Sequence, residues 1–158
     1  HSVSAYIGAM SAPADAAGKY AVTGAVVSIE ANGKTITATT DDAGKFTLTN
    51  VPDGTYTATV TYKYGFDRTF TITVKGADVN SATMVGIVAC NWSYDGTINA
   101  SDKSVYLKAV GAKAGTASYD VGLDIDRNGT VNSSDKLIYL KFVGARSNTT
   151  TYADVTVK

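Results

Sequence analysis

Histidine is almost absent from this 158-residue chain, the one copy being His1. That removes most imidazole-dependent catalysis and every metal site assembled from clustered histidines. The lone cysteine, Cys90, has no partner for an internal disulfide, so oxidative cross-links do not hold the fold and cysteine usage leaves the compartment open. Excess charge is lacking as well. Its 14 basic residues offset 14 acidic ones, which leaves no footprint for nucleic acid or an anionic membrane surface. No apolar run approaches the roughly 20 residues that span a bilayer, so direct membrane insertion is not expected. No signal peptide is recognisable, a character shared by mature secreted fragments and cytosolic proteins alike.

What is present changes character near residue 80. Upstream, short segments alternate apolar and small polar residues, mostly threonine, which is the period-2 pattern of half-buried strands. Val27 with Ile29, Ile36 with Ala38, Phe46 with Leu48, Tyr56 with Ala58, Val60 and Tyr62, and Phe70 with Ile72 and Val74 each share a face. Turn signals separate them at Asn32-Gly33, Asp42-Ala43-Gly44, Pro52-Asp53-Gly54 and Tyr64-Gly65. The spacing predicts an all-β antiparallel sandwich over residues 1–80, with "SAYIGAMS" (4–11) as its first strand. Downstream the period becomes helical: Val105 pairs with Ala109 and Ile138 with Phe142, as amphipathic helices require.

The downstream half is also duplicated. "NWSYDGTINASDKSVYLKAVGAK" (91–113) laid over "DIDRNGTVNSSDKLIYLKFVGAR" (124–146) gives 12 identities in 23 positions at an offset of 33. In the second copy, oxygen-bearing side chains stand at the first, third and fifth loop positions (Asp124, Asp126, Asn128), with Gly129 sixth. Thr130 offers its carbonyl seventh, Asn132 is ninth and Asp135 twelfth. Ca²⁺ takes 6–8 oxygen ligands, and a sixth-position glycine permits the sharp turn around it, so this is calcium-loop spacing. The first copy supplies Asn91, Ser93, Asp95, Thr97, Asn99 and Asp102 at the same places, around Gly96. Two calcium ions are expected, the first held less tightly because its loop has two carboxylates against three. A pair of Asx-rich surface turns holding no ion would share part of this pattern. Two loops in register, each running into the same helix, argue against that.

Two such loops, each with Asp rather than Glu at the twelfth position and each followed by a helix carrying Tyr-Leu-Lys, resemble the dockerin family over about residues 86–146. Asn91, where an Asp is usual, is the one clear departure. The resemblance implies calcium-dependent binding to a cohesin module of a scaffoldin or cell-surface anchoring protein, and a secreted or cell-surface place in a cellulosome. It also implies partner contacts at the tenth and eleventh loop positions and along the following helix. Those are Ala100, Ser101, Leu107 and Lys108 in the first copy and Ser133, Ser134, Leu140 and Lys141 in the second. Because the two sets are nearly alike, binding in either of two orientations is conceivable. For Leu107 and Leu140 the plain alternative is helix core, and for Lys108 and Lys141 a solvated face.

Upstream, "TTDDAGKFTLTNVPDGTYTATV" resembles the carboxypeptidase regulatory-like group of small sandwiches over about residues 20–75. A sandwich directly before a dockerin is similar to the X module of X-dockerin dyads, in which the X module stabilises the dockerin. The resulting expectation is a two-module fold, with a sandwich at 1–80 and an all-α, EF-hand-like dockerin at 81–158. The join "KGADVNSATMVG" has no flexible spacer, which predicts docked halves with Met84, Val85, Ile87 and Val88 in a buried seam. Tyr152, Val155 and Val157 fall at rough strand spacing, as a tail returning to the sandwich would. Trp92 and Tyr94 read as packing residues and Cys90 as a small buried hydrophobe.

Two other functions fit less well. Glycoside hydrolysis needs two carboxylates in one cleft, whereas Glu30, Asp41, Asp42 and Asp53 lie in or beside turns. A calcium-stabilised carbohydrate-binding or adhesion module needs a coplanar aromatic cluster that no single strand supplies. The chain reads as a non-catalytic protein-protein recognition unit.

Overall fold

The computed structural model describes residues 1–9 and 20–158. Its strands are β1 (Val3–Ala9), β2 (Val26–Ala31), β3 (Lys34–Thr39), β4 (Lys45–Leu48), β5 (Gly54–Thr61), β6 (Arg68–Val74), β7 (Val79–Ile87) and β8 (Thr156–Val157). Two helices, α1 (Ala100–Ala109) and α2 (Ser133–Phe142), lie between β7 and β8. A three-stranded sheet, β4-β1-β7, faces a five-stranded sheet, β3-β2-β5-β6-β8.

The alternating patterns become strands where expected. In β6, Phe70, Ile72 and Val74 point into the core while Thr69 is exposed. The β2–β3 hairpin closes at Asn32 (φ 51°) and Gly33 (φ 73°), the left-handed pair that a two-residue turn between twisted strands demands. β1 realises the expected first strand as far as Ala9. Met10 and Ser11 of that stretch lie outside the described residues.

The expected division into an antiparallel sandwich and an all-α C-terminal dockerin module is overturned. β7 pairs in parallel with β1, and β8 in parallel with β6, so the sandwich is mixed and draws two strands from the C-terminal half. Among the described residues the helices are just two, of 10 residues each. Helices so short are marginal alone and here rest on packing against their surroundings. β7 escaped the periodicity reading because it is an edge strand. Its Asn80 and Ala82 are exposed and Ser81 and Thr83 half-buried, so no apolar alternation marks it until Val85 and Ile87 enter the core.

Two apolar clusters result. One fills the sandwich and includes Val85, Ile87 and the tail residue Val157. The other joins Ala9, Tyr64 and Phe66 of the sandwich to Val88, Trp92, Ile98, Tyr106, Ile138, Tyr139 and Phe142 of the loop-helix repeats. The halves therefore share a core, and Tyr62 packs against both clusters. Arg68 clasps the tail: its guanidinium donates to the carbonyls of Gly86 and Ala153 and lies 4.7 Å from the Tyr152 ring.

Candidate metal sites and the helices beside them

Each loop follows the same backbone course. The fourth position is left-handed without being glycine (Tyr94 φ 61°, Arg127 φ 61°), and the sixth is a left-handed glycine (Gly96 φ 76°, Gly129 φ 87°). The ninth residue caps the helix that follows. Asn99 Oδ1 accepts from the Ser101 amide at 2.7 Å and Asn132 Oδ1 from the Ser134 amide at 2.8 Å. The twelfth-position carboxylate closes a capping box on the Asn99 or Asn132 amide. The side-chain oxygens of Asn99 and Asn132, expected as ligands, thus each accept a helix-end amide and keep a second lone pair.

The second loop gathers its acids. Carboxylate oxygens of Asp124, Asp126 and Asp135 all lie within 4.8 Å of one another, with Asp124 and Asp135 buried. Asp124 accepts from the Asn128 and Gly129 amides at 3.1 and 2.8 Å, and Asp135 from the Asp126 and Asn132 amides at 3.2 and 2.8 Å. Burial and the neighbouring Asp126 and Asp124 charges push the Asp135 carboxyl up to about 6, against the pull of those amides. Three mutually repelling oxygen donors in a partly dry cup suit a hard divalent cation. Asp124, Asp126 and Asp135 would hold it, with Asn128 and the Thr130 carbonyl alongside.

The first loop gathers fewer. Asp102 is fully buried and accepts from the Ser93 amide and hydroxyl at 2.8 and 2.9 Å and from the Asn99 amide at 2.8 Å. Asn91 Oδ1 takes the Gly96 amide at 3.1 Å, where Asp124 stands in the second loop. Asp95 is exposed and turned toward the Thr97 amide at 2.9 Å, a contact that holds its carboxyl below the usual range.

The repeats brace one another about a pseudo-two-fold axis. Tyr106 of α1 donates to the Asn132 carbonyl and Tyr139 of α2 to the Asn99 carbonyl, both at 2.7 Å. Ile98 donates to the Ala145 carbonyl and Val131 to the Ala112 carbonyl, both at 2.9 Å. Between the helices Trp92 stacks on Tyr106 and Tyr139, ring centroids 6.1 and 5.7 Å away. Trp92 is thus a packing residue, as expected; Tyr94 is exposed and tilts against Tyr64 at 5.6 Å. Burial pushes the Cys90 thiol well up, which makes it an inert core residue.

Of the residues proposed for partner contact, Ala100, Ser101, Leu107, Lys108, Ser133, Leu140 and Lys141 are exposed and Ser134 is half-buried. Leu107 and Leu140, 57 % and 51 % exposed, are not helix core.

Several residues that matter here gave no sequence signal. The Tyr119 hydroxyl donates to Asp124 Oδ2 at 2.6 Å, and burial and that bond raise its pKa to about 12, which keeps the proton in place. The matching position of the first repeat is Gly86, so the duplication does not reveal it. Partners that orient a ligand typically affect affinity 10–100-fold. Tyr119→Phe is therefore expected to weaken calcium binding at the second loop by about tenfold and to affect the first less, as read by calorimetric titration. Asp120, bonded to the Tyr64 hydroxyl and 3.3 Å from Lys63 Nζ, ties the inter-repeat segment to the sandwich. Arg127 does the same for the second loop, donating to Thr23 Oγ1 and to the Asp42 carbonyl.

Comparisons with known proteins agree with a sandwich joined to paired loop-helix units. A family model described as the carboxypeptidase regulatory-like domain matches residues 12–85, and no dockerin family model matches. No curated protein matches the chain. Among solved structures, two type II cohesin-X-dockerin complexes from Acetivibrio cellulolyticus, a C-terminal and an N-terminal interface mutant, are similar to it. Each does so with a TM-score of 0.62 and 28% identity over 93% of this chain and 97% of the other.

Proposed function

We propose that this chain is a non-catalytic, calcium-dependent recognition unit of a cellulosomal protein. Its two loop-helix repeats dock on a cohesin, and the sandwich supports them. The observation that carries this is the convergence of Asp124, Asp126 and Asp135 in a chain similar over 93% of its length to part of cohesin-X-dockerin complexes. In this reading residues 1–80 are the support and 81–158 hold two calcium ions and the docking faces, with β7 joining them. A calcium ion would neutralise carboxylates that otherwise repel, and so fix the start of each helix and the direction of its outer face. The setting is extracellular or cell-surface.

An enzyme reading has less behind it. The sandwich acids serve turns: Asp41 accepts the Ala43 and Lys45 amides at 2.9 Å, and Asp53 the Gly76 amide at 2.8 Å. A glycan-binding reading meets threonines rather than aromatic rings at Thr55, Thr57, Thr59 and Thr69 on the outer face of β5 and β6. The test is a panel of cohesins titrated with the chain in calcium and again in chelator. Tight binding to one or more cohesins, lost on chelation, is expected; no binding, or binding indifferent to chelator, would refute the proposal.

A further inference from the structure

The repeats are close copies, yet their outer faces differ. On α2 and its cap, Leu137, Leu140 and Val143 recur at three-residue spacing and are 64 %, 51 % and 50 % exposed, which places them on one stripe. The matching positions on α1 are Ser104, Leu107 and Val110. Ser104 turns its hydroxyl back onto the Ala100 carbonyl at 3.0 Å, so the α1 stripe lacks its first apolar residue. The only acids on either helix, Asp102 and Asp135, are fully buried. The charges outside are therefore all positive, at Lys103, Lys108 and Lys141 with Lys136 half-buried. An apolar stripe bordered by lysines complements an apolar platform edged with carboxylates.

The surroundings of the two repeats also differ. The fourth residue of the second loop, Arg127, is fastened to the sandwich at Thr23 and Asp42. Its counterpart Tyr94 is 63 % exposed beside Tyr64. Turning the repeat pair by half a revolution superposes the loops but not what flanks them.

Resting on the cohesin-docking reading above, we infer that α2 is the principal docking helix, with Leu137 as the residue that breaks the equivalence of the two faces. The partner meets α2 with an apolar, acid-edged surface and binds in a single orientation. Leu137 stands outside the contacts that the family resemblance implies, and its side chain is too exposed for its loss to disturb the fold.

The test measures affinity for a type II cohesin, with calcium, for the native chain, Leu137→Ser, Ser104→Leu and the double exchange, with calcium-bound melting as the control for folding. Leu137→Ser is expected to weaken binding about tenfold or more, the scale of a central interface residue, with melting unchanged. In the native chain Leu140→Ala should cost affinity and Leu107→Ala little. In the double exchange that order should reverse. Native affinity in Leu137→Ser, or equal sensitivity to Leu107→Ala and Leu140→Ala, would overturn the helix assignment and leave cohesin docking standing. A native chain that binds no cohesin would overturn both.

Discussion

Asp135→Ala is expected to unfold the loop-helix half in calcium, whereas Asn91→Ala lowers its melting temperature modestly. Asp135 has three tasks. Its carboxylate meets Asp124 and Asp126 at the metal cup, accepts the Asp126 and Asn132 amides, and completes the capping box of α2. Alanine strips the cation site of one of its three charges, leaves two amides without their acceptor, and removes a cap interaction that alone is worth about 1 kcal/mol. Asn91 is neutral and its side-chain oxygen serves one amide, that of Gly96. Calcium-dependent melting of the two variants checks the ranking, and equal losses would contradict it.

The same carboxyl dictates how the comparison depends on pH. Its folded pKa of about 6 lies above the usual value of 3.8. In the metal-free protein this group therefore favours the fold most below about pH 4 and loses that contribution as the pH rises through 6. A cation binds the ionised form, so calcium affinity at the second loop should fall as the pH drops below about 6. Native-minus-Asp135→Ala differences should accordingly be largest in calcium near neutrality.

Trp92→Ala should cost about 3–5 kcal/mol, the usual range for emptying a buried aromatic site. The indole is 2% exposed, lies between Tyr106 and Tyr139, and donates through Nε1 to the Gly122 carbonyl at 3.0 Å. Its removal leaves a cavity facing both helices at once and a carbonyl without its donor. Because the ring touches both repeats, the loss should appear as one cooperative transition covering both loops. Urea unfolding in calcium, followed by far-ultraviolet circular dichroism, measures it. A melting curve in which only one repeat yields would show that Trp92 does not join them.

The sequence made legible whatever depends on local periodicity. Apolar-polar alternation marked β2, β3, β4, β5 and β6, because alternate residues of each enter or border the sandwich core. The second loop was legible as a spaced set of acids, and the fold brings one carboxylate oxygen each of Asp124, Asp126 and Asp135 within 4.8 Å of the others. Expectations failed where a residue's partner is distant in the chain. β7 lacks apolar alternation because Ser81 and Thr83 stand on its inward face near the sheet edge, and its pairing with β1, 76 positions away at Val3–Val79, leaves no local mark. The return of the tail was legible by contrast: Tyr152, Val155 and Val157 fall at rough strand spacing, and β8, though two residues long, pairs with β6 and buries Val157 in the sandwich core. Leu107 and Leu140 stand on the outer side, as partner contacts would, and not in the core that was their plain alternative, because Tyr106, Tyr139 and Trp92 occupy the inner side. Asp120 and Arg127 act through contacts with residues far along the chain, and Tyr119, though its partner Asp124 is near, belongs to no motif.

The reciprocal tyrosine bonds have a consequence for how the two ions would be taken up. Tyr106 reports to the second loop and Tyr139 to the first, so ordering either helix restrains the ninth residue of the opposite loop. If both loops take up calcium, they would not titrate as independent sites: the second, with more charge, would fill at lower calcium and leave the first with less disorder to lose. Uptake would then be positively cooperative, and the ordering of the repeats would span a narrower range of calcium concentration than either loop alone would give.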